Sequence, residues 1–415
     1  MKARLLIIGL LISSVSLFAQ KSSSENLQKA NGLALVKQNG KCGFIDTTGK
    51  MVIEPQFENA WHFSANGLAA AKQNKKWGFI DTSGKFVIEP QFDDVYGFSA
   101  NGLARVKQKG KWGAIDKTGK IVIKPQFAIA EDFSANNLAK VKLKGKWGYI
   151  DATGKTVVEP QFRTLGDFSA NGLAKIEVKS KWGYIDQSGK IVIEPQFSHA
   201  GDFSANGLAV IVQNEKYGFI GTDGKIAIEP HFTFAADFSD CGLAAVVINE
   251  RCGYIDQNGK VAIEPKYDFA GDFQKNGWAM IELNGKRGYI DTNGKTVVEP
   301  QFEHAHGHTT NGLIEVKLND KYGYIDQSGK IAIEPKFDNP LHFSPIGLAR
   351  FKQDDKFGYV DQSGKVVIEP QFGNAGTFST NGLASVELNG KYGYIDTTGK
   401  FVIQPQFDFA DSFPF

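Results

Sequence analysis

The chain has 415 residues, and its 47 lysines and arginines nearly balance its 45 aspartates and glutamates. A nucleic-acid-binding protein needs a basic surface to release counterions, and lysines spread one or more per repeat build no such patch. The three cysteines, Cys42, Cys241 and Cys252, are odd in number and show no CxxC spacing. They argue against a disulfide framework and a structural zinc site, although a local bridge between Cys241 and Cys252 stays open.

The start of the chain is typical of a secretory leader. Lys2 and Arg4 precede an apolar stretch, residues 5–18, and a polar run follows. The apolar stretch is too short to span a bilayer comfortably, which favours a cleaved signal peptide over an uncleaved anchor. We therefore predict a signal peptide at 1–20 and a polar linker at 21–30. Export to the periplasm, the cell surface or the medium follows, with no membrane span after cleavage.

Residues 31–415 consist of eleven tandem copies of a 35-residue unit, without insertion or deletion. Repeats are numbered 1 to 11, and Asn31 is position 1 of repeat 1. Repeats of this period are supersecondary units that bury their apolar faces only against neighbouring units.

Each repeat contains three predicted strands, and repeat 3 shows them clearly. The first strand, Leu103 to Gln108, leads into a hairpin turn that is Asn-Gly in three of the copies. The second, Lys111 to Asp116, ends at Asp-x-x-Gly, where we expect a positive φ at glycine and aspartate bonds to the turn amides. The third, Ile121 to Ile123, runs into a proline, which lacks an N–H and must close the strand or lie at an edge.

The second strand is apolar on both faces, so it is predicted to be covered on both sides. Position 12 is aromatic in most copies, and position 13 is glycine in all eleven. We expect this glycine to leave room for an aromatic ring from the next repeat.

Two all-β architectures are compatible with this pattern: an open β-solenoid or superhelix of three-stranded units, and a closed propeller with three-stranded blades. Propellers typically have about four to eight blades of four strands. Eleven three-stranded units exceed that range, and the chain offers no split unit that would close a ring. The open array is therefore favoured.

The repeat motif resembles that of the bacterial WG-repeat, or KWG-repeat, proteins. Trp112, Trp147 and Trp182 each stand between a lysine and a glycine, and Ile-Asp-x-x-Gly-Lys follows each of the three. The resemblance covers residues 31–415. It implies a β-rich repeat array that is usually exported or associated with the cell surface, and it implies neither catalytic residues nor a common ligand.

The aromatic column at position 12 is the strongest candidate for a ligand-binding surface. Trp77, Trp112, Trp147 and Trp182 represent it in repeats 2 to 5. Exposed aromatic side chains stack on sugar rings or hold protein side chains. The alternative is that the column belongs to the core and joins one repeat to the next, which is the commoner environment of tryptophan.

Repeat 8 carries the one histidine cluster of the sequence, His304, His306 and His308. In an extended segment the three imidazoles would lie on one side, at a spacing that a transition metal could use. A solvated loop that has diverged from the repeat is the alternative, because no acidic or cysteine partner accompanies the histidines.

Five consecutive repeats share an aspartate at position 32: Asp132, Asp167, Asp202, Asp237 and Asp272. We interpret these residues as turn caps, since one carboxylate per repeat is a small ligand set for calcium.

The sequence contains no Ser-His-Asp set, nucleophile elbow or metalloprotease motif. It predicts an exported, non-enzymatic scaffold without a cofactor that binds proteins or cell-envelope polymers through a long repeated surface. The alternative is a carbohydrate- or peptidoglycan-binding module that uses stacked aromatic columns. A metal-dependent enzyme is the weakest of the three hypotheses.

Overall fold

The computed structural model describes residues 32–134, 136–308 and 312–414, with the side chains of residues 306–308 also left undescribed. The predicted signal peptide and linker, residues 1–20 and 21–30, lie outside the described part. Every regular element of the described residues is a strand, and none of them forms a helix that could cross a membrane.

Each repeat folds as a three-stranded antiparallel meander, and its turns form as the sequence predicts. Asn39 and Gly40 have φ values of 51° and 76°, so both central residues of this hairpin turn are left-handed, as in a type I′ turn. At the second turn, the Asp116 carboxylate accepts hydrogen bonds from the amides of Thr118 and Lys120 at 2.9 and 3.1 Å. Gly119 in the same turn has a φ of 85°.

The strand bounds vary little from repeat to repeat. The first strands are Ala34–Gln38, Ala69–Gln73, Ala104–Gln108, Leu138–Leu143, Ala174–Val178, Ala209–Gln213, Ala244–Ile248, Trp278–Leu283, Ile314–Leu318, Ala349–Gln353 and Ala384–Leu388. The second strands are Lys41–Ile45, Lys76–Ile80, Lys111–Ile115, Lys146–Asp151, Lys181–Ile185, Lys216–Ile220, Arg251–Ile255, Lys286–Asp291, Lys321–Ile325, Lys356–Val360 and Lys391–Ile395. The third strands are Met51–Phe57, Phe86–Phe92, Ile121–Phe127, Thr156–Phe162, Ile191–Phe197, Ile226–Phe232, Val261–Tyr267, Thr296–Phe302, Ile331–Phe337, Val366–Phe372 and Phe401–Phe407.

A fourth, bridging strand connects each repeat to the next blade. Asn59–Ala60 follows the third strand of repeat 1 and pairs with the first strand of repeat 2, where Asn59 lies opposite Lys72. Each sheet therefore has four strands, one of them donated by the preceding repeat. The bridging strands are Asn59–Ala60, Asp94–Phe98, Ile129–Ala130, Thr164–Leu165, His199–Ala200, Phe234–Ala235, Phe269–Ala270, His304–His308, His342–Phe343, Asn374–Ala375 and Phe409–Ala410.

The last bridging strand closes the molecule into a ring. Phe409 and Ala410 pair with Lys37 and Val36 in the first strand of repeat 1, and the Asp411 amide donates to the Leu35 carbonyl at 3.0 Å. The chain is thus an eleven-bladed β-propeller, and the prediction of an open solenoid or superhelix is wrong. The prediction failed because repeats and sheets are out of phase: every repeat is divided between two blades, so closure requires no additional split unit.

The core lies between the blades. Eleven apolar clusters are present in the described residues, and each contains side chains from two adjacent repeats, so burial occurs only once blades are side by side. In one of them Tyr184 and Phe197 of repeat 5 pack with Ile211 of repeat 6. The cluster at the ring closure has the same composition, with Val36 of repeat 1 packed against Phe407 of repeat 11.

The glycine at position 13 serves a different purpose from the one that the sequence suggested. A Cβ atom on Gly183 would lie 2.4 Å from the Ile193 carbonyl oxygen and 2.7 Å from the Pro195 nitrogen. A register shift between Trp182 and Tyr184 brings the third strand of the same repeat over the glycine. The expectation of a ring from the next repeat is therefore wrong. Pro195 lies in this bulge, where its missing N–H costs no ladder bond.

Candidate ligand-binding surface

The position-12 column lies beside a column of position-7 side chains. Across each first hairpin the two positions are directly opposite, as with Lys107 and Trp112. In repeats 2 to 4 the residue at position 7 is a lysine whose ammonium lies over the tryptophan ring. The distances from Nζ to the ring centroid are 5.7 Å for Lys72–Trp77, 5.6 Å for Lys107–Trp112 and 5.2 Å for Lys142–Trp147. Each pair has cation–π geometry.

The four predicted tryptophans differ in exposure. Trp77 is buried, whereas Trp112, Trp147 and Trp182 are half-buried. The ring at position 12 packs against the residue at position 29, which begins the bridging strand to the next blade in most repeats. Examples are Trp182–His199, with centroids 5.9 Å apart, and Tyr217–Phe234, at 5.4 Å. The column thus joins neighbouring blades and still leaves part of three tryptophans at the surface.

Repeats 1 and 2 extend this column into an aromatic cluster formed by Trp61, Trp77, Tyr96 and Trp112. The ring centroids are 6.0 Å apart for Trp77–Trp61, 6.0 Å for Trp61–Tyr96 and 5.3 Å for Tyr96–Trp112. Trp61 and Tyr96 are 38% and 41% exposed. The cluster is therefore a continuous aromatic surface that crosses two blade junctions, whereas the remaining position-12 rings lie one to a junction.

The cluster exists because repeats 1 and 2 depart from the repeat pattern at two linked positions. In other repeats position 14 is usually a tyrosine whose hydroxyl donates to the carbonyl of position 31, as Tyr184 does to Gly201 at 2.7 Å. In repeats 1 and 2 position 14 is Phe44 or Phe79, and position 31 carries Trp61 or Tyr96. Trp61 and Tyr96 were not predicted as surface residues, although both depart from the residues at this position in the other copies.

Cations surround the aromatic cluster. The Arg105 guanidinium carbon lies 3.9 Å from the Tyr96 ring centroid. Its position is fixed by hydrogen bonds from Nη1 to the Ala130 carbonyl at 2.6 Å and from Nη2 to the Asp132 carboxylate at 3.0 Å. Together with Lys72 and Lys107, Arg105 gives this aromatic surface a positive margin.

The predicted metal site is described only in part. The Nδ1 atom of His304 lies 2.8 Å from Nη1 of Arg287, and the side chains of His306 and His308 lie outside the described residues. A register shift between Ala305 and His308 interrupts the regular alternation that the prediction assumed. Among the described side chains, no group of three or more potential ligands could hold a metal ion. The metal site stays a prediction.

Several position-32 aspartates and the cysteines play other parts than those considered from the sequence. Three of the aspartates pair with cations at position 5 of the same repeat: Asp132 with Arg105, Asp167 with Lys140 and Asp202 with Lys175. These three neutralise basic side chains, whereas for Asp237 and Asp272 the interpretation as turn caps stays a prediction. All three cysteines are free thiols, without the local bridge that the sequence left open.

The comparison with protein families agrees with the repeat structure. The family model described as a WG containing repeat matches eleven successive segments: 43–77, 77–112, 112–147, 147–182, 182–217, 217–252, 253–286, 288–322, 322–357, 357–392 and 392–414. The chain belongs to the WG-repeat family. The tryptophan that gives the family its name stands at position 12 in repeats 2 to 5 of this WG-repeat protein, and its ring joins two blades.

Solved structures are similar to this WG-repeat protein only at low levels. A eukaryotic initiation factor shares 13% identity over 82% of this chain and 96% of its own, with a TM-score of 0.41. The extracellular domain of a putative hybrid two-component system from B. thetaiotaomicron shares 10% identity, with 91% and 62% coverage and a TM-score of 0.23. PorZ, a surface component of the type-IX secretion system of Porphyromonas gingivalis, shares 10%, with 87% and 63% coverage and a TM-score of 0.24.

The WG-repeat chain spans less than two thirds of the length of these two bacterial proteins. Similarities this weak carry no information on the ligand or the location of the WG-repeat protein. The comparison with curated proteins finds no match.

Proposed function

We propose that this WG-repeat propeller is an exported, non-enzymatic binding scaffold whose ligand is a polysaccharide of the cell envelope. The observation that carries the proposal is the aromatic cluster of Trp61, Trp77, Tyr96 and Trp112, which is continuous, exposes Trp61 and Tyr96, and is bordered by cations. The signal peptide that the sequence predicts at residues 1–20 supports export.

The chemistry of the cluster suits a carbohydrate. Tryptophan and tyrosine offer large rigid contact areas at low cost in conformational entropy, and their faces stack on the C–H faces of sugar rings. The cluster lies on an open surface and extends over more than one blade, so it fits a chain of sugar residues better than a small molecule that needs enclosure. The Arg105 guanidinium and the neighbouring lysines can donate hydrogen bonds to hydroxyl oxygens.

The absence of catalysis is part of the proposal. The cations beside the aromatic rings are Lys72, Lys107 and Arg105. Two carboxylates lie near them, and each faces a cation: Asp132 is engaged by Arg105, and Asp94 lies opposite Lys107 in the bridging strand. A glycosidase needs two carboxylates that flank the scissile bond. We therefore assign binding and no chemical step to the aromatic cluster.

A second candidate is a protein partner, which exposed phenylalanines on other blades support. Phe234, Phe269 and Phe409 occupy position 29 and are 47%, 48% and 42% exposed. Apolar side chains that recur around the ring form a repeated surface suited to a protein that contacts several blades.

The double variant Trp61→Ala/Tyr96→Ala tests the polysaccharide proposal. Two stacking rings are removed from the surface, so we expect at least about a tenfold loss of affinity, the scale of a binding hot spot. Affinity electrophoresis of the full chain through gels containing neutral and acidic polysaccharides, with sedimentation on purified peptidoglycan, measures the loss.

The matched control is Phe234→Ala/Phe269→Ala, which removes two equally exposed rings from repeats 6 and 7. It should bind polysaccharide as the unmodified chain does. Unchanged retardation of the Trp61→Ala/Tyr96→Ala chain would refute the assignment of the aromatic cluster. Loss of polysaccharide binding in the control alone would place the polysaccharide contact at position 29 instead of the aromatic cluster.

A further inference from the structure

The hairpin formed by the first two strands of each repeat lies beside the same hairpin of the next repeat. At most of these junctions one carboxylate is bound between the two hairpins. In five repeats an acidic residue at position 28 pairs with the basic residue at position 11 of the same repeat. The pairs are Asp93–Lys76, Asp268–Arg251, Glu303–Lys286, Asp338–Lys321 and Asp408–Lys391. In three of them the carboxylate also accepts from an amide in the hairpin turn of the next repeat, as Asp93 does from Gly110 at 3.3 Å and Asp268 from Asn284 at 2.6 Å.

These hairpin junctions are built to hold an anion. The two turn residues have positive φ values, so their N–H groups form a concave donor site of the kind that binds anions elsewhere. The Lys76 ammonium and the Gly110 amide hold the pKa of the Asp93 carboxyl below its ordinary value. The anion is therefore bound by one cation and by backbone donors that are present in every repeat.

At the junction between repeats 10 and 11, a carboxylate from a different repeat position occupies the same place. Position 28 there is Gly373, which has no side chain, and Glu387 from position 7 of repeat 11 takes over. Its Oε1 atom accepts from the Gly390 turn amide at 2.8 Å, and its Oε2 atom would lie 2.4 Å from a Cβ on Gly373. A carboxylate occupies the junction although the residue that usually supplies it is missing.

The junction between repeats 4 and 5 departs from this pattern, because position 28 is Arg163. A cavity of about 280 Å³ lies there, lined by Lys146, Arg163 and Lys179 together with Gln161, Glu177, Val178 and Ser180. Glu177 stands at the position that Glu387 uses, yet its carboxylate accepts from the Thr164 hydroxyl at 2.6 Å. Among the ion pairs of the described residues, none includes Lys146, Arg163 or Lys179.

This junction also lies in the basic sector of the ring. Repeats 3 and 4, residues 101–170, contain 13 lysines and arginines against 6 aspartates and glutamates, whereas repeats 6 to 9, residues 206–345, contain 13 against 19. The even overall balance conceals this excess of basic residues in repeats 3 and 4. A concentrated positive field attracts an acidic ligand to this side of the molecule.

We propose that the cavity between the hairpins of repeats 4 and 5 binds a carboxylate of the polysaccharide, so that the ligand is a glycan containing uronic acids. The inference rests on the proposed function. Lys146, Arg163 and the turn amides of Lys179 and Ser180 surround the place that a side-chain carboxylate fills at other junctions. Trp182 lies opposite Glu177 across the same hairpin, where its half-buried ring can contact the sugar that carries the carboxylate.

The variant Arg163→Asp tests the site, since it supplies the internal carboxylate that five other repeats pair with a cation. The full chain is titrated calorimetrically at low salt with tri-galacturonate, with its methyl ester and with a sulfated trisaccharide. We expect the free acid to bind at least about tenfold more tightly than the ester, as the loss of one charge-assisted hydrogen bond implies. In Arg163→Asp the preference should disappear while the melting temperature is maintained or raised.

The matched control is Thr233→Asp, which introduces an aspartate at the same position, 28, of repeat 6 and should keep the preference for the acid. Equal affinity for acid and ester, or an unchanged preference in Arg163→Asp, would overturn the inference, as would failure of all three probes to bind. Tighter binding of the sulfated sugar than of the galacturonate would overturn the choice of carboxylate. If the binding of neutral polysaccharides still depends on Trp61 and Tyr96, the proposed function stands in each of these cases.

Discussion

At the scale of single residues, the most constrained position is the glycine at position 13. It is invariant because a backbone from the same repeat passes over it, and this contact is identical in the first, middle and last repeats. A Cβ would lie 2.4 Å from a carbonyl oxygen at both Gly183 and Gly393. Backbone atoms held in a bulge cannot move aside as a flexible side chain could.

Substitution of this glycine should therefore destabilise every repeat equally. Gly183→Val and Gly393→Val are each expected to lower the free energy of unfolding by at least about 1–3 kcal/mol, the usual cost of overpacking. Urea denaturation followed by circular dichroism measures the loss. Gly271→Ala is the control, since its nearest neighbour would be 3.5 Å away. A much milder effect at Gly393 than at Gly183 would contradict a contact made within each repeat.

The sequence could show that position 13 matters, but not why. Eleven identical glycines in an apolar strand predict a steric constraint, and the residue that imposes it depends on a bulge that no local pattern indicates. Trp61, Tyr96 and Arg163 present the opposite case. Each was visible as a departure from its repeat position, yet its meaning became clear only when the neighbouring blade supplied the other half of the surface.

At the scale of elements, hydrogen bonds from tyrosine secure the bridging strands. Six tyrosines at position 14 donate to the carbonyl at position 31, where the chain leaves the bridging strand: Tyr149, Tyr184, Tyr254, Tyr324, Tyr359 and Tyr394. A phenylalanine at position 33 packs on the same ring in most repeats, as Phe203 does on Tyr184 at 4.7 Å. Each of these six junctions is thus fixed by one polar and one aromatic contact beside the two-residue strand.

These contacts predict cooperative unfolding in alkali. Burial raises the pKa of these six tyrosines and of Tyr289 well above the ordinary value. Their folded-state pKa exceeds the unfolded one of about 10, so the stabilisation is complete below pH 10 and is lost as the pH rises above it. Absorbance at 295 nm should show these seven of the 12 tyrosines ionising together with the loss of circular dichroism.

The variant Tyr184→Phe provides the control, because repeat 6 already carries Phe219 at this position. It should remove one phenolate from the cooperative step and lower stability by about 0.5–1.5 kcal/mol, the net contribution of one hydrogen bond. Full ionisation at pH 11 with an unchanged circular dichroism spectrum would show that the tyrosines are accessible.

The strands and turns themselves were largely predictable. Asn-Gly and Asp-x-x-Gly give turn positions directly, and the apolar runs between them give the three strands of each repeat. The bridging strand was not predictable, because two residues such as Asn59–Ala60 carry no periodic signal. Its pairing is set by the position of the following blade, which is a property of the whole sheet.

At the scale of the whole molecule, closure depends on the end of the chain. Besides the pairing of Phe409 and Ala410 with the first strand of repeat 1, the Tyr394 hydroxyl donates to the Asp411 carbonyl and the Ser379 hydroxyl to the Phe413 carbonyl. The His62 ring and the Asp411 carboxylate also lie 2.8 Å apart across the closure. The strand pairing with repeat 1 and the His62–Asp411 contact are the ones that an open array would lack, whereas the two hydroxyl bonds hold the end of the chain within repeats 10 and 11.

A chain that ends at Phe407 should therefore open. Small-angle scattering of the full chain should show a flat ring, while the truncated chain should show a larger maximum dimension or association between molecules through the unpaired edge. Its melting temperature should also fall. The control Phe409→Asn keeps the bridging strand and places there the residue that repeats 1 and 10 already have. Identical profiles for the full and truncated chains would contradict closure by this strand.

The phase difference between repeat and blade has a consequence for the chain ends. The closing junction pairs position 29 with position 7, as nine of the other ten junctions do, and has the same apolar packing between blades, so it carries no special chemistry. The position of the termini is then independent of the architecture, and circular permutation to another repeat boundary would leave every blade intact. The parts of the ring differ in their surface side chains: an aromatic cluster lies at repeats 1 to 3, and a cavity lined by basic residues lies between repeats 4 and 5.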